Sequence, residues 1–566
     1  MKNKLLGLTE SQKEFVLGED KFNLLIACGG SGKTLSVARK VGYMISQRYP
    51  ANKIYTISFT RAAARELKRR IAKVDKLGKD IQAFTFHSFV LNFMKEYESK
   101  EFNMISDSEK EILLKSICKR FDIDNYKQVL DQLKISIKTG NKKIQYAINE
   151  YIFRLNMFNL MDVDLMLPLF LDKITNDSDF LEWIREQIEC LFYDEAQDMN
   201  KIQYDILTKI IPPTSDKGLT LIGDEDQNIY EWNNTDIKYI LGFEESYNAS
   251  RYILDTNFRC SNQIIQEANN LISKNEKRFD KDIKGTFDAG EVVVQDFNNE
   301  TEELFRIVGM VSNYINTDET IAILCRSNKD VLKVSNFIKE YGIEVNSSIK
   351  VEYEKSEIDM LKLILNPANN ILVETLFKID SDLRIKSLDE NLPLIDILIE
   401  SSNLKVQQKA KVIKSLNLAI KRVTAKKAIT LIENALDTYF DENIIAALDL
   451  WSESLKSTDI NNINNFLDFL TSRDSQDALK VGKSSIFIST IHGVKGLEYN
   501  EVILFNFNNH NYKKKGNIEE TRRLLYVAYT RAINKLNLFY AKKSLDFVGK
   551  EIDSEISELF REDYSN

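Results

Sequence analysis

The chain has 566 residues, 43% of them hydrophobic and 29% charged, the balance of a globular protein. That length allows about four domains at ~150 residues each, and no apolar run approaches the ~20 residues that cross a bilayer, so neither a membrane protein nor a secreted one is expected and a cytoplasmic location is. Lys+Arg 77 against Asp+Glu 85 leaves a net charge of −8, which excludes nucleic-acid binding by bulk charge and leaves only a local groove for it.

In chain order, Phe22–Ala27 is a short apolar run, expected as a strand, followed by glycines and a helical pattern. Ile54–Phe59 is a second such run, ahead of the helix-like RAAARELKRRI. Strand-like runs recur at Gln82–Phe86, Leu191–Tyr193, Leu219–Ile222, Glu291–Val294, Ile321–Cys325, Ile486–Thr490 and Val502–Phe505. Helical patterns lie between many of them, which predicts an α/β fold with parallel sheets. Two stretches break the rhythm: Glu96–Gln187 is mostly helix-like, and Leu372–Leu479 is helix-like with no glycine at all. Two α/β cores, each with a helical insertion, is the simplest partition. Within the second insertion, Leu394, Ile395, Leu398 and Ile399 have helical spacing for a small core of their own, and Pro393 suits the first turn of their helix. The five cysteines (Cys28, Cys118, Cys190, Cys260, Cys325) are scattered without a C-x-x-C pair, and there are only three histidines, which argues against zinc, iron–sulfur and a disulfide framework.

ACGGSGKT at Ala27–Thr34 joins the first strand to a helix. Glycines there let backbone N–H groups curl around phosphate oxygens, and the helix N-terminus adds positive potential. Ala27, Cys28, Gly29, Gly30, Ser31, Gly32, Lys33 and Thr34 are therefore a candidate nucleoside-triphosphate site, with Lys33 reaching the β/γ-phosphates and Thr34 holding Mg²⁺. Ala27 stands where the strict pattern has its first glycine. Alone, the loop would suit a kinase or a transporter equally. LFYDEAQD ends an apolar strand with Asp194, suited to Mg²⁺, and Glu195, suited to polarising the attacking water. LIGDEDQNIYEW ends another, where Gln227 would orient the γ-phosphate or that water, and Tyr230 and Trp232 offer flat faces for the core or for stacked bases.

In this order the motifs resemble superfamily 1 DNA helicases of the UvrD/Rep/PcrA type. LTESQKEFV is similar to that family's adenine-reading motif, with Gln12 in its place; TISFTRAAARELKRRI and FTFHSFV look like the two motifs after the phosphate loop; and MDVDLM at Met161–Met166 resembles the segment before the acidic motif. LDTNFRCSNQI matches the motif in which an aromatic stacks on adenine and an arginine meets the γ-phosphate, here Phe258 and Arg259. STIHGVKGLEYNEVILF carries the ribose-holding glutamate, Glu498, and EETRRLLYVAYTRAINKLNLFY carries an arginine finger, Arg531.

The resemblance runs from Leu8 to Tyr540. It implies two RecA-like parallel-sheet cores, 1–95 with 186–275 and 276–371 with 480–566, carrying mainly helical insertions at 96–185 and 372–479. ATP and Mg²⁺ would sit between the cores, catalysis resting on Lys33, Glu195, Gln227, Arg259 and Arg531. Single-stranded or tailed DNA would cross Phe59, Tyr230, Trp232 and His492, with 3′→5′ movement. Of the basic cluster Arg61, Arg65, Lys68, Arg69 and Arg70, not all can face DNA from one helix.

Departures bear on function. Asn233 follows Trp232 where the family usually has a basic residue, and the second insertion lacks the family's Gly-Ile-Gly duplex contact. That insertion is therefore expected to regulate the cores or dock a partner rather than grip duplex. With the motifs beginning at Leu8 and ending near Tyr540, no added N-terminal or nuclease domain is expected. Size and phrases such as NFRC resemble compact members, including helicase subunits of bacterial anti-phage systems such as Gabija. The alternative function is thus a DNA-sensing ATPase that regulates a partner nuclease and unwinds little.

Overall fold

The computed structural model describes residues 5–105, 107–157, 159–231, 234–347, 355–377, 392–421, 423–440, 442–455, 461–471, 484–512, 517–545 and 551–561. The chain forms two compact units: Met1–Lys100 with Leu169–Ile349 and Gly482–Asn566, and Glu101–Pro168 with Lys350–Val481.

The first unit contains two six-stranded sheets. Strands β1 (Phe22–Ala27), β2 (Ile54–Ile57), β3 (Gln82–Phe84), β4 (Cys190–Tyr193), β5 (Gly218–Gly223) and β6 (Ser250–Leu254) are ordered β3-β2-β4-β5-β1-β6. Strands β7 (Glu291–Phe297), β8 (Ile321–Cys325), β9 (Asn346–Ser347), β10 (Ile486–Thr490), β11 (Tyr499–Leu504) and β12 (Ala532–Ala541) are ordered β7-β12-β11-β8-β10-β9. Every pairing within the two sheets is parallel. The two parallel α/β cores expected from the strand-like runs are therefore present.

Central strands such as β4 and β8 are buried along their whole length, which is why they read as unbroken apolar runs. In the first sheet the chain leaves β1 and crosses over β5 and β4 to reach β2. The segments after β1, β4 and β5 thus meet at the carboxyl ends of neighbouring strands, the place where open parallel sheets bind ligands.

Three strands carry no clear signal in the sequence. Strand β6 lies at a sheet edge and is mostly half-exposed, and β9 has only two residues. Strand β12, AINKLNLFYA, is interrupted by Asn and Lys. Its Asn537 is nevertheless buried, because Nδ2 donates to Glu501 Oε1 at 2.7 Å and to the Val502 carbonyl at 3.3 Å. The helix Ser178–Gln187, at the end of the helix-like stretch Glu96–Gln187, belongs to the first unit. Its Trp183 packs edge-on against Phe93 at 5.8 Å between ring centres, and Phe180 lies 4.6 Å from Tyr97.

In the second unit, helices Asp107–Arg120 and Lys142–Met157 are tied to the segment at Met161–Met166. Lys110 Nζ lies 2.9 Å from Asp162 Oδ1 and 2.6 Å from Asp164 Oδ2, and the Tyr151 hydroxyl donates to Asp162 Oδ2 at 2.9 Å. The same unit contains the helices Leu394–Ile399, Leu404–Ile420 and Ala425–Leu436. Leu394, Ile395 and Leu398 are core residues there with Ile413, Ile429 and Trp451, as the spacing predicts, and Ile399 packs on that core partly buried. Pro393 caps the helix N-terminus rather than standing inside its first turn. Among the described residues no helix is long and apolar enough to cross a membrane.

Candidate nucleotide and nucleic-acid site

Strand β1 ends at Ala27 and the helix Lys33–Ser46 begins six residues further on, so the five residues Cys28–Gly32 must turn tightly. Gly30 and Gly32 make the turn with φ of +81° and +76°, the left-handed region open to glycine. Space excludes side chains as well: a Cβ on Gly30 would stand 2.7 Å from Arg259 Cβ, and one on Gly32 would stand 2.8 Å from Gln12 Nε2.

Neighbouring segments grip the loop. Gln12 Nε2 donates to the Ser31 carbonyl at 2.9 Å, held there because Gln12 Oε1 accepts from Thr9 N at 3.0 Å in the capping box of helix Glu10–Leu17. Asn257 Nδ2 donates to the Gly29 carbonyl at 2.6 Å, and Phe258 N donates to the Gly30 carbonyl at 2.9 Å. Ser31 Oγ donates back to the Cys28 carbonyl at 2.7 Å, and the Cys28 side chain is buried below the loop. The Phe258 ring stays 49% exposed.

The acids after β4 face this loop. Lys33 Nζ lies 2.9 Å from Asp194 Oδ1 and also pairs with Glu195 Oε1. Glu195 adopts φ of 59°, a left-handed conformation that costs a non-glycine residue ~1–3 kcal/mol. Its second oxygen accepts from Gln197 Nε2 at 2.6 Å, which fixes the carboxylate's direction. Burial works against the Glu195 charge, but Lys33 and then Lys495 outweigh it and hold the carboxyl below its ordinary value. Glu195 is thus an ionised, oriented carboxylate. Thr34 stands in the first turn of the helix Lys33–Ser46. Its hydroxyl and the Asp194 carboxylate are hard oxygen donors of the kind Mg²⁺ selects, so the residues present fit that ion.

The second sheet sends Arg531 to the same loop. The guanidinium is 1% exposed and held from behind: Nε donates to the Val527 carbonyl at 3.0 Å and Nη1 to the Leu497 carbonyl at 3.1 Å. A Cβ placed on Gly29 would lie 3.1 Å from Arg531 Nη2, 3.2 Å from Gln227 Nε2 and 3.5 Å from Arg259 Nη1. Three hydrogen-bond donors carried by different segments therefore converge on the bare face of one glycine. Burial, with Arg259 next, pulls the Arg531 pKa down to about 10, which still leaves the group charged at neutral pH. Arg259 Nε donates to Glu498 Oε2 at 2.6 Å, so the candidate γ-phosphate and ribose groups are paired with each other.

The aromatic candidates lie together. Phe59 and Tyr230 stack with ring centres 5.7 Å apart and an interplanar angle of 14°, and Tyr230 lies 6.0 Å from the His492 ring. Burial, with Arg326 next, lowers the His492 pKa from its ordinary value. Trp232 and Asn233 lie outside the described residues. In the basic helix Arg61–Val74, Arg69 and Arg70 pair at the surface with Glu66, and Lys68 donates to the Ile81 carbonyl at 2.7 Å.

Lys495 is the residue that sequence reasoning misses here. It pairs with Asp198, donates to the Gln227 carbonyl at 3.0 Å and lies over the Tyr230 ring at 5.0 Å, joining the aromatic surface to the Gln227 turn. Its only signal is its place in STIHGVKGLEYN, among residues already singled out.

Phe59 is 43% exposed, so its substitution tests the aromatic surface without emptying the core. Phe59→Ala is expected to weaken single-strand binding by ~1–3 kcal/mol, the worth of one base–aromatic stack. The log of affinity should fall against log salt with a slope of ~0.7 per phosphate neutralised. Fluorescence anisotropy with a labelled oligonucleotide at several salt concentrations, beside a melting curve, checks both. Unchanged affinity, or affinity indifferent to salt, would remove this surface from the DNA track.

Comparison with known proteins agrees with this geometry. Residues 8–248 match the UvrD/REP helicase N-terminal domain, and residues 252–385 and 382–543 match the UvrD-like helicase C-terminal domain. Similar proteins include the ATP-dependent DNA helicase Rep of Buchnera aphidicola subsp. Schizaphis graminum, 26% identical over 93% of this chain and 92% of that protein. Rep of Buchnera aphidicola subsp. Acyrthosiphon pisum is 27% identical over 96% of each chain. The ATP-dependent DNA helicase PcrA of Bacillus subtilis is 26% identical over 95% of this chain and 84% of that protein. The chain therefore belongs to the UvrD/REP helicase family, whose members are DNA-dependent ATPases and helicases.

Proposed function

We propose that the chain is an ATP-driven translocase and helicase on single-stranded DNA that moves 3′→5′. The observation that carries the ATP-driven part of this reading is the convergence on Gly29 of Arg531, Gln227 and Arg259, together with the Lys33–Glu195 pair; the direction rests on the family resemblance. ATP held there takes contacts from both sheets, so loss of the γ-phosphate removes the ligand that joins them. Lys33 binds the β/γ-phosphates, Glu195 takes a proton from the attacking water, Gln227 orients it, and Arg531 neutralises charge on the transferring phosphoryl group. Phe258 stacks on the adenine and Gln12 reads its edge, while Arg259 turns to the γ-phosphate and releases Glu498 to the ribose. Thr34 and Asp194 would hold Mg²⁺, which neutralises charge on the β- and γ-oxygens.

Phe59, Tyr230 and His492 form the floor for stacked bases, and Lys495 ties that floor to the Gln227 turn. In this proposal the domains follow a four-part division of two cores with insertions within 96–185 and 372–479, the helix Ser178–Gln187 packing with the first core and the second insertion being regulatory.

Steady-state ATPase with and without single-stranded DNA, beside displacement of a strand from 3′-tailed and 5′-tailed duplexes, tests the function. The expected result is ATPase stimulated by DNA and displacement from the 3′-tailed substrate. Stimulation without displacement from either tail would favour a DNA-sensing ATPase that acts on a partner nuclease, as in anti-phage defence. Displacement from the 5′ tail alone would overturn the direction.

A further inference from the structure

Asp224, Glu225 and Asp226 follow β5 and bring carboxylate oxygens within 4.8 Å of one another, a crowding that demands a cation. The cation here is Lys281. Its side chain is fully buried, and Nζ lies 2.6 Å from Asp224 Oδ1, 2.9 Å from Glu225 Oε1 and 3.0 Å from Asp226 Oδ2. The same short segment adds Arg278 Nη2, 2.9 Å from Asp226 Oδ2, and Phe279 N, which donates to Glu225 Oε1 at 2.9 Å. Burial opposes the Lys281 charge, but the three carboxylates outweigh it and raise its pKa.

Asp224 is the joint between this clamp and the nucleotide loop. Lys281 takes Oδ1, while Oδ2 accepts from Gln227 Nε2 at 2.6 Å. The Asp224 backbone N–H donates to Gln197 Oε1 at 3.1 Å, and Gln197 Nε2 is the donor to Glu195 at 2.6 Å. A carboxylate with one oxygen pinned by an ammonium has the direction of its other oxygen fixed. Gln227 Nε2 is thereby held 3.2 Å from the place a Cβ on Gly29 would take.

We infer that Lys281 is a positioning residue for ATP hydrolysis, acting through Asp224 to hold the Gln227 amide at the phosphate loop. This rests on the reading of Gln227 as the group that orients the γ-phosphate or the attacking water. Lys281 makes no contact with nucleotide itself; its contribution is the angle of another side chain, and a misplacement of ~1 Å at such a group costs up to ~10²-fold in rate.

The test is steady-state ATPase of the full chain with single-stranded DNA, with kcat and KM for ATP measured separately for Lys281→Met, Asp224→Asn and Gln227→Ala, and for each of the first two combined with Gln227→Ala. Asp224→Asn leaves Lys281 between Glu225 and Asp226, so it decides alone if Lys281→Met does not fold. The expected result is a fall in kcat of roughly tenfold or more for Lys281→Met and for Asp224→Asn, with KM changed less than about threefold. In the Gln227→Ala background neither change should lower kcat further, because residues that act through one group are not additive. An equal further loss in that background, or an unchanged kcat in the single variants, would overturn the role of Lys281 while an impaired Gln227→Ala left the reading of Gln227 standing. A wild-type kcat for Gln227→Ala would overturn that reading and this inference with it.

Discussion

Arg531→Ala is expected to lower DNA-stimulated ATPase activity by ~10³-fold or more, the effect of removing an arginine that meets the transferring phosphoryl group. The guanidinium is buried and already aimed at the bare face of Gly29. Nε and Nη1 donate to the Val527 and Leu497 carbonyls and Nη2 donates to Thr530 Oγ1 at 3.2 Å, which together fix the fork in place before nucleotide binds. Alanine leaves those carbonyls unpaired, so a melting curve must accompany the assay. Arg531→Lys separates charge from geometry: it keeps a cation but loses the planar fork, and should recover only a small part of the rate. Near-normal turnover in a folded Arg531→Ala protein would remove the finger from the mechanism.

Glu195→Gln should lower turnover by ~10²–10⁴-fold, the range for loss of a general base, while ATP binding persists. The amide keeps the shape and can still accept from Lys33, but it cannot take a proton from water. Lys33 and Lys495 hold the carboxyl below its ordinary value, so at neutral pH the wild-type group is ionised and the loss should be the same from pH 6 upward. Turnover by rapid quench, with nucleotide affinity from a fluorescent analogue, checks both halves. Near-normal ATPase in the variant would exclude Glu195 as the base.

The parts of this site legible in the sequence are those in which one backbone feature and one side chain lie within a few residues. Gly30, Gly32 and Lys33 are readable together because a loop between a strand and a helix needs left-handed glycines and leaves an N-terminus for phosphate. Asp194 and Glu195 are readable only beside the phosphate loop, since two acids after an apolar strand would by themselves read as an acidic surface loop. Phe258, Arg259, Glu498 and Arg531 are legible only through resemblance, since nothing local in NFRC or YTRA states that these segments meet Gly29. Their convergence comes from the packing of one sheet's loops against another's.

Lys281 and Lys495 escape both routes. EKRFDKDIKG has no periodicity and reads as a charged surface loop, yet it buries an ammonium among three carboxylates. Among the strands, β12 is hidden by Asn534, Lys535 and Asn537, polar residues that in Asn537's case are paid for by hydrogen bonds to β11. Local hydrophobicity records burial only where the buried group is apolar.

The central claim is that one ATP is completed by groups from both sheets. A structure of the chain with Mg²⁺ and a non-hydrolysable ATP analogue, with single-stranded DNA present, measures this directly. The account predicts a γ-phosphate within hydrogen-bond reach, ~2.7–3.2 Å, of both Lys33 Nζ and the Arg531 guanidinium. A closed, occupied phosphate loop with Arg531 well outside that reach would contradict it.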